Sequence, residues 1–318
     1  MWAPIGKVAA CGSESWVLEV AAAGPHGLVC ANSSRQRQVT LHDAATLQCS
    51  WSSSPHAPAA VTDVSARPDL LLVSGGSDGT VALLDPRTPG PPVLLHCGGA
   101  GGGPVVGVSS CAHLVAASAG DALWLLDTRS RRALARLDCG HAGDVGPVRW
   151  GPDALLATGG AEDGLVALWR GASGWGEDAL EEVWNEDVPV ARLDWVGDTL
   201  LVSSLQQASL WRAGERLWTV PTADAYAPCG FALARVAMAH RDGAVALIPP
   251  PTVPQHQVWL MGGHTAACRG VAQIADTVFS GGEDGVLCAW KERQQQEFLD
   301  DAPTGPVRSK LEFQGRKA

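Results

Sequence analysis

A short strand-like segment recurs at nearly constant intervals along the chain, and this spacing restricts the folds that the chain can adopt. Successive copies are 42, 42, 43, 42, 37 and 42 residues apart. Repetition at a fixed period of this length is typical of solenoids and propellers. The copies end at His42, Leu84, Leu126, Trp169, Trp211, Ile248 and Trp290.

Each period contains four short apolar segments separated by turns. In the unit around Trp169 they are DVGPVRW (144–150), ALLATGG (154–160), GLVALWR (164–170) and LEEVWNE (180–186). Segments of this length without a 3.6-residue apolar period indicate strands rather than helices. Four strands per period correspond to one propeller blade. We therefore predict an all-β fold, a single seven-bladed β-propeller of four-stranded antiparallel blades, over residues 1–291.

A ring of blades must be closed, because an open sheet edge is prone to pair with another chain. The segment IGKVAA (5–10) precedes the first complete unit, so we expect it to complete the seventh blade as an N-terminal strand. The alternative is QEFLDD (296–301). The segment 292–318 is polar and ends in several basic residues, and its composition predicts a disordered C-terminal tail.

Four polar or aromatic positions recur within the units. The seventh unit contains His264, Ser280, Asp284 and Trp290. A buried carboxylate and a donor-only indole need partners, so we expect the Asp, His, hydroxyl and Trp side chains to form a hydrogen-bonded chain that holds the blade together. The fourth unit has the same set at His141, Thr158, Asp163 and Trp169.

The other units keep only parts of this set. The second has His56, Ser74 and Asp78 with Leu84 at the Trp position, and the third has Asp121 with Leu126. The fifth keeps Trp211 without the Asp, and the sixth has Asp242 with Ile248. We expect these blades to depend mainly on apolar packing between neighbours.

The Gly-His, Ser/Thr, Asp and Trp positions resemble those of the WD-repeat (WD40) family. The resemblance implies a β-propeller scaffold that mediates protein–protein interactions and complex assembly, and it implies no reaction. The partners would be proteins, and no cofactor is expected.

Composition disfavours several other classes of function. The formal net charge is −10 and the pI is about 5.3, so direct nucleic-acid binding through a broad basic surface is disfavoured. No apolar run approaches a membrane span, and the nine cysteines form no C-x-x-C pair. We expect a chain without a membrane partner, located in the cytoplasm, the nucleus or both, with its cysteines as buried free thiols.

Catalytic and metal-site patterns are weak. GGSDG (75–79) matches the G-x-S-x-G nucleophile elbow, but it joins two strand-like segments with no helix after Ser77. The nine histidines include no pair with the spacing of metal ligands. We therefore predict no catalytic residue and no metal site.

Residues on the innermost strands, and on the loops that lead into them, are candidates for a partner-binding rim, since Trp and Arg often anchor protein interfaces. The alternative is that the tryptophans pack between blades and the arginines pair internally. The candidates are Asp144, Arg149, Trp150, Asp187, Arg192, Trp195 and Arg269.

Two Asp-x-Arg turns, LDPR (84–87) and LDTR (126–129), follow consecutive units. They resemble the W-D-x-R box of WD-repeat substrate receptors in cullin-type ubiquitin ligases, with Leu in place of Trp. This resemblance implies a ligase adaptor as a partner, contacted by Arg87 and Arg129, whereas the alternative treats both as ordinary turn residues. A further alternative, an enzyme or small-ligand binder that uses the central channel, predicts ionisable side chains that converge from several innermost strands.

Overall fold

The computed structural model describes residues 2–10, 15–32, 37–97, 103–171, 174–222, 226–233, 235–250 and 257–292. These residues form seven four-stranded antiparallel sheets, as the repeat spacing predicts. The predicted tail lies outside the described residues from position 293 onward. No helix among the described residues is long and apolar enough to cross a membrane.

The chain begins with β1 (Trp2–Ala9) and then builds the first three blades from the channel outward. Blade 1 contains β2 (Val17–Ala23), β3 (Gly27–Asn32), β4 (Val39–Asp43) and β5 (Cys49–Ser53). Blade 2 contains β6 (Val61–Ala66), β7 (Leu72–Gly76), β8 (Thr80–Leu84) and β9 (Val93–His96). Blade 3 contains β10 (Val105–Cys111), β11 (Leu114–Ala119), β12 (Ala122–Asp127) and β13 (Arg132–Asp138).

The remaining blades follow the same order. Blade 4 contains β14 (Val145–Trp150), β15 (Leu156–Gly160), β16 (Leu165–Trp169) and β17 (Leu180–Asn185), with short 3₁₀ turns at Pro152–Ala154 and Glu177–Ala179. Blade 5 contains β18 (Arg192–Val196), β19 (Thr199–Ser203), β20 (Gln207–Arg212) and β21 (Glu215–Pro221). Blade 6 contains β22 (Tyr226–Ala232), β23 (Arg235–His240), β24 (Val245–Ile248) and β25 (Val258–Leu260). Blade 7 contains β26 (Cys268–Ile274), β27 (Thr277–Gly282) and β28 (Val286–Glu292).

The N-terminal strand closes the ring. β1 pairs antiparallel with β28, from Trp2 opposite Glu292 to Ala9 opposite Val286. It is therefore the outermost strand of blade 7, and the prediction for residues 5–10 is confirmed. The competing segment 296–301 lies outside the described residues.

Apolar side chains fill the space between neighbouring blades. Leu84 and Leu126, which stand at the Trp position of blades 2 and 3, are 2 % and 0 % exposed and belong to apolar clusters that span adjacent blades. Burying such a side chain contributes about 1.5 to 3 kcal/mol. Interblade packing therefore holds these blades where the indole is missing.

Most described thiols are buried. Cys97, Cys139 and Cys288 lie in the core, and burial raises the pKa of each thiol to about 12. They are small apolar fillers at neutral pH rather than nucleophiles. Cys49 differs, since it is exposed on β5.

Candidate functional site: the central channel and its rim

The four recurring residues of blade 7 form one hydrogen-bonded chain. The Trp290 indole N–H donates to Ser280 Oγ at 2.7 Å, and His264 Nε2 lies 2.8 Å from the same oxygen. His264 Nδ1 lies 3.0 Å from Asp284 Oδ1. Thr265 N–H donates to the other carboxylate oxygen at 2.8 Å. All four side chains are therefore hydrogen-bonded within the blade.

Glycine is required at two places around this chain. A Cβ on Gly263 would lie 2.3 Å from the Trp290 ring, and a Cβ on Gly282 would lie 2.8 Å from both Asp284 Oδ1 and His264 Nδ1. Real side chains do not approach so closely, so the Gly before the His and the Gly before the turn make room for the network.

Blade 4 repeats the arrangement. The Trp169 indole N–H donates to Thr158 Oγ1 at 3.1 Å, and His141 bridges Thr158 (3.2 Å) and Asp163 (3.1 Å). Burial alone would raise the pKa of Asp163, but hydrogen bonds donated by Leu165 and Ala142, together with His141, outweigh it and lower that pKa. The carboxylate therefore stays ionised and acts as an acceptor.

Blade 2 keeps the hydrogen bonds that do not need the indole. His56 Nε2 lies 2.9 Å from Ser74 Oγ, and Nδ1 lies 2.9 Å from Thr80 Oγ1 and 3.2 Å from Asp78. Burial lowers the pKa of His56, despite the charge of Asp78. The histidine is thus held in its neutral form within the blade.

Blade 5 uses a residue that the sequence pattern did not identify. Glu186 is 1 % exposed and occupies the connection where other blades place the histidine. Its carboxylate accepts hydrogen bonds from the Trp211 indole at 2.6 Å, from Ser209 at 2.5 Å and from Gln207 at 2.8 Å. The sequence signal for this residue is a single Glu between Trp184 and Trp211. In the structure these two tryptophans stack, with ring centres 5.4 Å apart.

Charged side chains from blades 1, 2, 4 and 5 meet in the central channel. Arg149 on β14 donates to Asp63 on β6 at 2.8 Å, although the two residues are 86 positions apart. Arg192 on β18 makes a bidentate pair with Glu19 on β2 at 2.7 and 2.9 Å. Asp194 joins the two pairs, at 2.8 Å from Arg192 and 3.9 Å from Arg149. We call these five residues the channel network.

The charges of the channel network stabilise one another, with three carboxylates around two guanidinium groups. Burial alone would lower the pKa of Arg192, but the charges of Asp194 and Glu19 outweigh it and raise that pKa well above its usual value. Burial raises the pKa of Glu19, whereas the charge of Arg192 acts in the opposite direction. Asp63 also accepts hydrogen bonds from the backbone N–H groups of Val64 and Val108, each at 2.9 Å. Each arginine thus forms an ion pair with a carboxylate from another blade.

A pattern in the innermost strands accounts for the channel network. Glu19, Asp63 and Asp194 are each the third residue of an innermost strand, in segments that are otherwise largely apolar. A single carboxylate in an otherwise apolar innermost strand is the sequence signal for these residues. Which arginine pairs with which carboxylate depends on the order of the blades around the ring.

The channel network lies between two depressions. The larger one, about 610 Å³, opens at the end of the channel where the innermost strands begin, and the smaller one, about 260 Å³, lies at the other end. Both are lined by Glu19, Arg149 and Arg192, so these side chains form their common wall. We call the larger depression the mouth; its rim includes Val106, Pro147, Pro189, Leu205, Pro228 and Arg269.

The rim of the mouth exposes apolar groups. Leu205, in the turn between β19 and β20, is 82 % exposed, and Val106 is 43 % exposed. Arg269 pairs with Glu283, and its guanidinium lies 5.9 Å from the Trp16 ring centre. Leu205, Val106 and Trp16 were not among the candidates from the sequence, since nothing local distinguishes them from buried apolar residues.

The structure does not bring all seven rim candidates to the mouth. Arg149, Arg192 and Arg269 line it. Trp150 ends β14 at the opposite end of the channel and packs edge-on against Trp175, with ring centres 5.5 Å apart.

The other three candidates also lie outside the lining of the mouth. The Trp195 indole donates to the Arg149 carbonyl at 3.2 Å, and its ring covers Gly151. Asp144 is exposed in the loop before β14, and Asp187 pairs with Arg216 at 3.0 Å. Arg149, Arg192 and Arg269 each form an ion pair with a carboxylate of this chain.

The two Asp-x-Arg turns lie at equivalent positions after the third strands of blades 2 and 3. Asp85 accepts hydrogen bonds from the Arg87 backbone N–H at 3.0 Å and from its guanidinium at 2.8 and 2.9 Å. Asp127 accepts from the Arg129 backbone N–H at 3.0 Å. Both arginines are exposed, so the turns can present them to a partner.

Among the described residues, no group of three or more His, Cys, Asp or Glu side chains could hold a metal ion. Ser77 lies in the turn between β7 and β8, where its hydroxyl accepts a hydrogen bond from the Ala60 backbone at 3.0 Å. A strand-to-strand turn lacks the strand-to-helix geometry of a nucleophile elbow.

Comparisons with known proteins give the fold. No protein-family model matches the sequence, and no curated protein matches it. The structure resembles a chain in a crystal structure of a mitotic checkpoint complex, with a TM-score of 0.75 over 92 % of each chain and 17 % identity. At that identity the likeness shows a shared propeller fold and nothing finer.

Proposed function

We propose that this chain is a non-enzymatic scaffold that binds protein partners at the mouth of its central channel and helps to assemble a complex in the cytoplasm or nucleus. We also propose that the chain is related to WD repeat-containing protein 89, a single-propeller group, because segments 27–47, 262–271 and 279–292 and the short basic tail look like that protein. The similar solved chain comes from a structure described as a complex, which supports protein partners.

The observation that carries this proposal is the exposed apolar rim. Leu205 and Val106 line the mouth and are 82 % and 43 % exposed, and Trp16, which is 42 % exposed, lies beside Arg269 of the rim. Clustered apolar groups beside a depression are typical of binding surfaces, whereas isolated ones are common on any protein. Arg269 lies beside the aromatic ring of Trp16, and Arg and Trp are both enriched among the residues that contribute most to interface affinity.

The channel network supports the same function by making the floor of the mouth rigid. Arg149 is held by Asp63 and Arg192 by Glu19, in each case a carboxylate from another strand, so the floor has little freedom to lose when a partner binds. A preorganised surface retains more of its contact free energy as affinity. A partner segment would contact the apolar rim and reach the polar floor with its tip.

The test is native affinity purification of the full chain with Leu205→Asp and Val106→Asp combined. Each side chain that a partner buries contributes about 1.5 to 3 kcal/mol. Losing both apolar side chains should reduce recovery of a stoichiometric partner by roughly tenfold or more. Quantitative mass spectrometry of the purified complex measures that recovery.

The matched control is Leu217→Asp on β21, a leucine that is 41 % exposed away from the mouth. Its partner recovery should equal that of the wild type. Equal recovery for the rim variant, or turnover of a small molecule by pure protein that has no stoichiometric partner, would refute the proposed function.

A second candidate function, substrate receptor of a cullin-type ubiquitin ligase, is favoured by the equivalent placement of the two exposed Asp-x-Arg turns. It predicts that Arg87→Ala combined with Arg129→Ala abolishes co-purification of the adaptor while the thermal unfolding midpoint stays unchanged. Unchanged adaptor recovery would reject it.

A small-ligand or enzymatic use of the channel is favoured by one observation, the convergence of ionisable side chains from four blades. The same side chains are already paired with each other, so a ligand would have to displace an ion pair. Screening the pure protein for thermal stabilisation by small metabolites tests this alternative.

A further inference from the structure

A basic patch lies on the face of the propeller opposite the mouth. The loops that join first to second strands and third to fourth strands build this face, whereas the turns between second and third strands surround the mouth. The patch combines five arginines with three aspartates, which gives a local charge of +2 (five minus three) in a chain of formal charge −10. Its residues are Arg67, Arg87, Arg129, Arg131 and Arg132, with Asp69, Asp85 and Asp127.

The arginines of the basic patch differ in how they are paired. Arg67 and Arg87 are held by Asp69 and Asp85, with shortest contacts of 2.6 and 2.8 Å. Arg129 lies 3.6 Å from Asp127 and is 70 % exposed. Arg131 and Arg132 are exposed and make no ion pair with any other residue in the described ranges.

The backbone that carries the unpaired arginines is well held. Asp127 accepts the Arg129 backbone N–H at 3.0 Å, and its own carbonyl accepts the Arg131 backbone N–H at 2.8 Å. Arg132 begins β13 and pairs with Asp127 across the ladder. The positive charges are therefore presented from a fixed turn, which favours recognition over diffuse attraction.

An open depression of about 670 Å³ adjoins these charges. Arg67, Arg87 and Arg131 line it together with Asp69, Asp85 and several apolar side chains. A ligand that fits must satisfy both an apolar surface and the unpaired guanidinium of Arg131, which lines the depression, while Arg132 is the next residue along the chain. The apolar walls come from Trp51, Leu71, Pro89, Pro91, Pro92 and Val93.

We propose that the basic patch binds an acidic polypeptide segment that carries apolar side chains between its carboxylates. Carboxylates complement the unpaired guanidinium forks of Arg131 and Arg132, and leucine-like side chains suit the Pro- and Trp-lined depression. A nucleic-acid strand fits less well, because its continuous phosphate charge would extend beyond the basic patch over an acidic protein. This surface is distinct from the mouth and does not depend on the function proposed for it.

The test measures binding of a short fluorescein-labelled peptide of alternating glutamate and leucine to the full chain by fluorescence anisotropy at physiological ionic strength. We expect saturable binding by the wild type. Arg131→Glu combined with Arg132→Glu should weaken it roughly tenfold or more, because two attractions become repulsions. Arg131→Gln combined with Arg132→Gln, which only removes the charges, should give an intermediate loss.

The matched control is Arg212→Glu combined with Arg241→Glu, two exposed arginines outside the basic patch whose reversal changes the net charge by the same amount. It should bind the peptide like the wild type, and circular dichroism should show that all variants are folded. The proposal is wrong if the wild type does not bind the peptide or if the control weakens binding equally. It is also wrong if single-stranded poly(U) binds more tightly than the peptide in a manner that depends on Arg131 and Arg132.

Discussion

Replacing Trp290 tests the hydrogen-bonded chain that holds the closing blade. The side chain is 0 % exposed, packs among Cys229, Cys268 and Cys288, and donates to Ser280 at 2.7 Å. Trp290→Ala removes a fully buried indole and leaves a cavity, which typically costs about 3 to 5 kcal/mol. Trp290→Phe keeps an aromatic ring but loses the N–H donor and one ring of the indole, so it should cost less than Trp290→Ala and at least the roughly 0.5 to 1.5 kcal/mol of the hydrogen bond.

Replacing Asp284, at the other end of the hydrogen-bonded chain in blade 7, gives an independent test of that chain. Asp284 accepts hydrogen bonds from His264, from Thr265 N–H at 2.8 Å and from Val286 N–H at 3.2 Å. An amide in its place keeps one acceptor oxygen and loses the charge. Asp284→Asn should therefore lower the free energy of unfolding by about 1 to 3 kcal/mol.

Urea unfolding followed by tryptophan fluorescence measures these changes, and hydrogen exchange locates them. β28 carries Trp290 and pairs with β1, so exchange should rise in residues 2–9 and 286–292 and stay unchanged in β10–β12 of blade 3. Leu205→Ala, at an 82 % exposed position, is the control and should change stability by less than about 0.5 kcal/mol. Changes within error for both Trp290→Ala and Asp284→Asn would refute the proposed network.

Three further predictions concern other blades. Glu186→Gln should lower the free energy of unfolding by about 1 to 3 kcal/mol, because the buried carboxylate accepts hydrogen bonds from Trp211, Ser209 and Gln207. Urea unfolding measures this change, and an unchanged urea midpoint would contradict the role of Glu186. Burial lowers the pKa of His56, so the unfolded chain takes up the proton first. The contribution of His56 to the free energy of unfolding should be complete above the ordinary histidine pKa of about 6.5 and should decline below it. A free energy of unfolding that stays constant from about pH 7.5 to 5 would contradict this direction. Iodoacetamide at neutral pH should label exposed Cys49 while Cys97, Cys139 and Cys288, whose pKa values burial raises to about 12, stay unlabelled in the native state; mass spectrometry distinguishes the two groups.

The repeat and its turn residues can be read from the sequence because they act over short distances along the chain. The hydrogen-bonded chain from His264 to Trp290 lies within one unit, and so does the chain from His141 to Trp169. Strand length, turn chemistry and the Gly positions are set by contacts of this range. The sequence alone therefore determined the class of fold, the number of blades and the hydrogen-bonded residues of blades 4 and 7, whereas the role of Glu186 in blade 5 is visible only in the structure.

Contacts between distant blades could not be predicted from the sequence. Arg149 pairs with Asp63 across 86 positions, and Arg192 pairs with Glu19 across 173. No local pattern encodes which innermost strands face each other, because that follows from how the twist of each blade closes the ring. The placement of Trp150 and Trp195 at the far end of the channel has the same origin.

The surfaces that a partner would contact were also decided by the tertiary structure. Leu205 and Leu201 are both leucines of blade 5, yet one is 82 % exposed on the rim and the other is fully buried. Arg131 and Arg132 become a basic patch only because the turns of blades 2 and 3 lie beside each other. Sequence periodicity determined what recurs in this protein, whereas ring closure decided which non-recurring side chains meet, since those contacts join residues that the chain keeps far apart.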